Sequence, residues 1–283
     1  MIILCADDYG IAPGVDRAID ALAEAGRLSA TSALVTLPEW PDTARRLRQL
    51  RGRIAIGLHL NLTLGSALGP MPATAPEGTL PTIGQLTARA WTGRLSKNEF
   101  RAEIDRQLDR FESEMGYQPD HIDGHQHAHA LPVVRSVLAA AARERSWPSP
   151  PLIRSPEDNP LRISRRGIAT GKAIAIALVT AGARRTWRAA GFLTNDSFAG
   201  VSAFSSETSF AHELAAALTH PGPIHLVMCH PGFPDATLAS RDPVLARREE
   251  EYDAITAAPD LPSRLWHPKR ASDGPPVNWT TPA

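Results

Sequence analysis

Short apolar runs alternate along the chain with stretches of helical spacing, and several of the apolar runs end abruptly in carboxylates or imidazoles. Residues 1–6 are continuously apolar, the pattern of a strand covered on both faces in a parallel sheet. A helix is predicted over about 14–25, with Ile19 and Leu22 on its apolar side and Gly26 as its stop. A strand near 31–37, a helix over about 42–51 and a strand from Ile54 follow. Residues 64–95 are rich in Pro, Gly and Thr without a period, and too long for an ordinary connection; such a loop is expected to be a lid or binding element. Ser96-Lys97-Asn98-Glu99 is a capping box that opens a helix to about Met115. Further helices are predicted over about 132–145, 207–219 and 245–257, and strands at 152–154 and 224–229, with a strand-to-loop exit at 192–196. Strands alternating with helices predict an α/β fold, an irregular TIM-barrel-like (β/α) barrel.

The polar residues cluster where the strands end. His121, Asp123, His125, His127 and His129 all occupy odd positions within nine residues, so an extended strand would point all five the same way. Such a face is a poor core, because unpaired buried polar groups cost free energy. If the run stays extended, His121 and His129 lie roughly 26 Å apart, so one ion cannot take all four imidazoles. One or two are ligands, and the others orient, shuttle protons or bind substrate. Asp7 and Asp8 close the first strand and point to different faces, so one can bind a cation while the other acts as a base. His59, Asn61 and Thr63 share a face at the end of the third strand, and His230 follows the apolar run 224–229. Arg154 and Asp196 fall at comparable predicted exits, where Arg154 could clamp a carboxylate or a substrate oxygen. Parallel α/β folds bind ligands at this edge.

These segments, Ala6-Asp7-Asp8-Tyr9-Gly10, Gly57-Leu58-His59, His121-Ile122-Asp123-Gly124-His125-Gln126-His127 and Met228-Cys229-His230-Pro231, resemble the four signature segments of the YdjC/ChbG-like carbohydrate deacetylases, which include the HpnK-type proteins. The third segment is closer to the chitooligosaccharide deacetylase branch than to the hopanoid branch. The resemblance covers residues 1–255 and implies a barrel of about seven strands. It implies a divalent cation on Asp8, His59 and His125, with Asp7 as base and His230 as acid. Tyr9 stands where many members carry Phe.

The residue types suit hydrolysis of an N-acetyl amide on an amino sugar. A divalent ion can lower the pKa of its water from ~15.7 to about 7 and polarise the carbonyl; two imidazoles and one carboxylate leave coordination positions open. Asp7 can take the water proton and His230 can donate to the departing nitrogen. Asp123 and His127 fit a supporting shell that holds a ligand's tautomer or the acid's charge, and Asn61, Arg154 and Asp196 are candidates for the same shell or for substrate contact. Zinc or magnesium comes first, with manganese, cobalt, nickel and iron as alternatives. Another metal-dependent hydrolase, a phosphoesterase or esterase, or a non-catalytic carbohydrate-binding protein could use the same residues.

Composition narrows the setting. Lys plus Arg and Asp plus Glu balance at 30 each, so no global charge argues for nucleic acid. Two cysteines, Cys5 and Cys229, both sit in apolar strands and read as small buried hydrophobes of a reducing compartment. No apolar run reaches the ~20 residues that span a bilayer, and no leader is evident, so a cytoplasmic protein is expected. Residues 1–268 are expected to form one hydrolase domain, and 269–283 a flexible, Pro-rich tail. The partner expected is the acetylated amino-sugar substrate, with the oligomeric state open to a homodimer. From Asn159 to Asn195 there is no acidic residue, while seven are basic and residues 173–181 are apolar. Such a stretch is either a barrel helix with a solvated basic face or one suited to peripheral contact with an anionic membrane surface.

Overall fold

The computed structural model describes residues 1–204, 207–268 and 277–279. Seven strands form one sheet: β1 (Ile2–Tyr9), β2 (Ala30–Ala33), β3 (Ala55–Leu60), β4 (His121–Gly124), β5 (Leu152–Ile153), β6 (Ser197–Ala199) and β7 (His225–Cys229). Every pairing is parallel, in the order β5-β4-β3-β2-β1-β7-β6. The helices α1 (Pro13–Glu24), α2 (Trp40–Leu47), α3 (Ile83–Trp91), α4 (Lys97–Met115) and α5 (Val134–Arg143) serve the first five strands. Next come α6 (Pro160–Arg166), α7 (Thr170–Val179), α8 (Ala183–Ala189), α9 (Phe210–Ala217), α10 (Ala236–Arg241), α11 (Ala246–Ala257) and α12 (Leu261–Arg264). Together they make the expected TIM-barrel-like α/β architecture. No helix among the described residues is long and apolar enough to cross a membrane.

The continuous apolarity of β1 follows from burial on both faces. Leu4 and Ala6 face the helical layer, and Ile3 and Cys5 face the barrel interior with Ala30, Ala55 and Leu226. At the end of the barrel opposite the strand C-termini, Trp266 and Trp279 stack at a centroid distance of 4.7 Å. Trp279 Nε1 donates to the Asp120 carbonyl at 2.9 Å, and Val277 N donates to the Asp120 carboxylate at 3.0 Å. Residues 277–279 of the expected tail are therefore docked, held by aromatic burial and two hydrogen bonds to Asp120; the rest of 269–283 lies outside the described residues.

Between β5 and β6 the barrel has a seam. Ile153 N bonds to Leu193 O at 2.9 Å. Beside it the Asn195 amide accepts from Ser155 N at 2.7 Å and donates to the carbonyls of Ser155 and Ser197 at 2.8 and 3.0 Å. The 192–196 segment, expected as a strand leaving the sheet, instead leads into β6. The loop 64–95 is not structureless, since α3 lies within it behind a Thr82–Gln85 capping box. The strand near 31–37 ends at Ala33.

Candidate active site and metal centre

Asp7 and Asp8 lie just before Tyr9, the last residue of β1, and Asp8 adopts φ +67°. A non-glycine residue there is strained by about 1–3 kcal/mol and is a pointer to function. The twist turns the Asp8 carboxylate toward two imidazoles: its Oδ1 lies 2.9 Å from His125 Nδ1 and 3.3 Å from His59 Nε2. The ligand atoms of Asp8, His59 and His125 lie within 4.8 Å of one another. Oδ2 of Asp8 accepts from Arg248 at 2.7 Å, reached from α11. Burial opposes ionisation of Asp8, but His125 and Arg248 hold its carboxyl well below the usual range.

His59 is oriented from behind. Its Nδ1 lies 2.6 Å from Asp123 Oδ1 and 3.0 Å from the Ser32 hydroxyl, which leaves Nε2 facing Asp8. Burial alone would depress this imidazole; Asp123 and Asp8 push it up to about 10. Asp123 is itself fully buried, and Arg154 and His59 hold it ionised against the cost of burial. Arg154, also fully buried, ion-pairs with Asp123 and grips Asp7 through two bonds of 2.7 and 2.5 Å. One guanidinium thus fixes two carboxylates, a bidentate task for which Arg is suited. Beneath it, a Cβ on Gly57 would come within 2.4 Å of His121 Nε2, so only glycine lets that ring lie against β3.

The odd-position histidines do not share one face. β4 ends at Gly124, and residues 125–130 wind into a 3₁₀ segment with Gln126 and His127 at φ +52° and +60°. A Cβ on Gly124 would meet His129 at 2.9 Å, so the turn needs this glycine. The strand period stops applying there, and the rings scatter. His125 reaches Asp8, and His129 stacks on Trp187 while bonding Arg154 O at 2.8 Å. His127 lines the cavity edge-on to Phe198, its Nδ1 buried without a hydrogen-bond partner. His121 lies deep, 3.6 Å from Cys5 Sγ.

His230 follows β7, with its backbone N–H donating to Glu251 at 2.5 Å and its ring against Phe204. Burial lowers its pKa to about 4. Asp7, Asp8, His59, His125, His127 and His230 border one cavity of about 490 Å³ at the C-terminal edge of the strands. Asn61 and Asp196 are not brought there. Asn61 lies beyond the end of β3 and spends its amide on Thr36 and on the backbone of Thr63 and Leu64. Asp196 precedes β6, at the opposite end of that strand from the cavity, paired with Arg188 and Ile224 N.

A profile of YdjC-like proteins matches residues 1–260. The chain belongs to the YdjC-like family. Within it, chitooligosaccharide deacetylases of Klebsiella pneumoniae and Serratia marcescens are each 31% identical over 258 residues, 91% of either chain. A crystal structure from Enterococcus faecalis, of a protein described as a candidate for cellobiose-phosphate cleavage, superposes with a TM-score of 0.69 at 21% identity over 94% of this chain and 96% of that one.

Arg248 and Glu251 of this YdjC-like chain escape a reading of strand ends, since they come from α11. A signal does exist: Arg248, Glu251 and Ile255 are spaced as one helix face, and all three are buried. Charges at positions where a helix should present apolar residues mark a buried polar network.

Proposed function

We propose that the protein is a metal-dependent carbohydrate N-deacetylase that hydrolyses the N-acetyl amide of an acetylated amino sugar. The observation that carries this reading is the convergence of Asp8, His59 and His125 beside an Arg-gripped Asp7 at the edge of one cavity. The donor set suits a divalent cation: His59 commits Nδ1 to Asp123 and keeps Nε2 for a ligand bond, the usual support for a metal-binding imidazole. Two imidazoles favour zinc over magnesium on ligand softness. When bound, the cation supplies Lewis acidity to the amide carbonyl and acidifies water.

This chain's own groups do the rest. Asp7, held in place by Arg154, accepts a proton from the attacking water. His230, a ring that burial keeps neutral, takes up a proton through the cavity and donates it to the departing amine, while Asp7 releases the water proton to solvent. Acetate and a free amino sugar result. His127 offers a neutral imidazole to substrate, since burial and Arg154 hold it well below its ordinary pKa. The 31%-identical relatives named chitooligosaccharide deacetylases support an N-acetylated oligosaccharide as the substrate class.

The test is acetate release from N-acetylated chitooligosaccharides after chelation and metal restoration, with phosphate release from sugar phosphates measured in parallel. Metal-restored acetate release, lost together with bound metal in His59→Ala, is expected. Phosphate release without acetate release would replace this reading with a phosphoesterase.

A further inference from the structure

Helix α7 has the sequence TGKAIAIALV, and none of its ten residues is buried. That is an unusual state for so apolar a helix, since helices hydrophobic all round are ordinarily enclosed by protein or lipid. Ala173 and Ile176 lean on the barrel-interior apolar group, while Leu178 is 66% exposed. Leu161 of α6, which packs against α7, is 67% exposed. Lys172 and Ile176 line the cavity mouth, so α7 borders the candidate active site.

The surroundings are cationic. Arg162, Arg165, Arg166, Lys172, Arg184, Arg185 and Arg188 flank the apolar turns, and no acidic residue lies between Asn159 and Asn195. Asp158 and Asp196 neutralise part of this charge through Arg162, Arg166 and Arg188, and Glu157 holds Arg184. Arg165 and Arg185 remain exposed on the flanks.

We propose that α7 is a docking surface for anionic lipid bilayers, seating the cavity mouth against the membrane. Charge decides between the two apolar occupants. A second copy in a two-fold dimer would bring the same patch onto itself, setting cations against cations. An anionic leaflet offers the opposite charge to the flanks and an apolar layer to Ile174 and Leu178. The proposal does not depend on the deacetylase reading.

Sedimentation with vesicles tests it, using the full chain with phosphatidylcholine alone and with phosphatidylcholine containing phosphatidylglycerol. Binding to the anionic vesicles only, weakening as salt is raised, is expected. Arg165→Gln with Arg185→Gln should weaken binding about fivefold per charge, and Ile174→Asp with Leu178→Asp should abolish it. None of these residues lines the cavity, and the circular dichroism and thermal melting of both variants should match the parent and report an intact fold. No binding of the unaltered chain, equal binding by the variants, or a solution dimer dissolved by Leu178→Asp would each overturn the proposal.

Discussion

The two ends of the barrel interior are built from the same strands and differ in every other respect. At the closed end, Ile3, Ala30, Ala55 and Leu226 meet the stacked Trp266 and Trp279, an apolar plug. Four residues further along β1 and β3, Asp7 and His59 stand among Asp123 and Arg154, all almost wholly buried. Apolar burial stabilises wherever it occurs, at roughly 25 cal/mol per Å². Buried charge does so only when each group is paired, and a well-packed apolar set in its place is often neutral or stabilising. The open end, where the candidate catalytic groups gather, is tolerated because Arg154 pairs with both Asp7 and Asp123; the closed end contributes apolar burial alone.

Substitutions can break that division. Asp7→Asn and His230→Ala should each lower turnover on the order of 10²–10⁴-fold, the range for loss of a general base or acid. Metal content, read by elemental analysis, should stay intact in the Asp7 variant, because Asp8 carries the contacts to His59 and His125. Loss of metal from the Asp7 variant but not from Asp8→Asn would reverse the two roles. Trp279→Ala at the other end should cost about 3–5 kcal/mol of stability in a denaturant titration, as large buried aromatics do, with turnover per folded molecule unchanged. If it slowed turnover as much as Asp7→Asn, the two ends would not be separable.

The smallest effect comes from the link between the network and pH. Burial raises Glu251 from 4.5 to about 8. Between those values the folded chain keeps a proton that the unfolded chain has released, so this group makes stability fall as pH rises from 4.5 to 8. Glu251→Gln keeps an acceptor for His230 N–H and removes the titration. Its stability curve should lie up to a few kcal/mol above the parent at pH 8 and meet it below pH 4.5. A variant parallel to the parent over that window would show that Glu251 does not titrate there.

How far the sequence could be read follows from where each signal resides. Asp7, Asp8, His59 and His230 end runs of apolar strand, so local periodicity alone places them at one edge of a parallel fold. His125 was reachable through its motif, but the period of two that grouped it with His127 and His129 ended at Gly124. Asn61 shows the same failure: it alternates with His59 on paper, yet β3 stops at Leu60 and the next residue turns into a loop. Asp196 was misplaced because β6 is only three residues long, Ser197–Ala199, with too few side chains to carry a pattern. Arg248 meets Asp8 across a separation of 240 residues, a pairing that exists only because β7, which α11 follows, lies beside β1.

The seam between β5 and β6 gives the molecule an expansion joint. Neighbouring strands elsewhere are riveted by backbone ladders, whereas here an asparagine side chain and one main-chain bond span the gap. Opening it sacrifices no strand pairing, so it is the place where the hoop can widen at least cost and where, among the strand neighbours of the sheet, amide protons should exchange soonest. The chain between its two lips carries α6, α7 and α8. Because loop closure grows only logarithmically with length, that excursion can lengthen, shrink or change character through evolution, and with Lys172 and Ile176 on the cavity it would reshape the rim while β1, β3 and β4 hold Asp8, His59 and Asp123 in place.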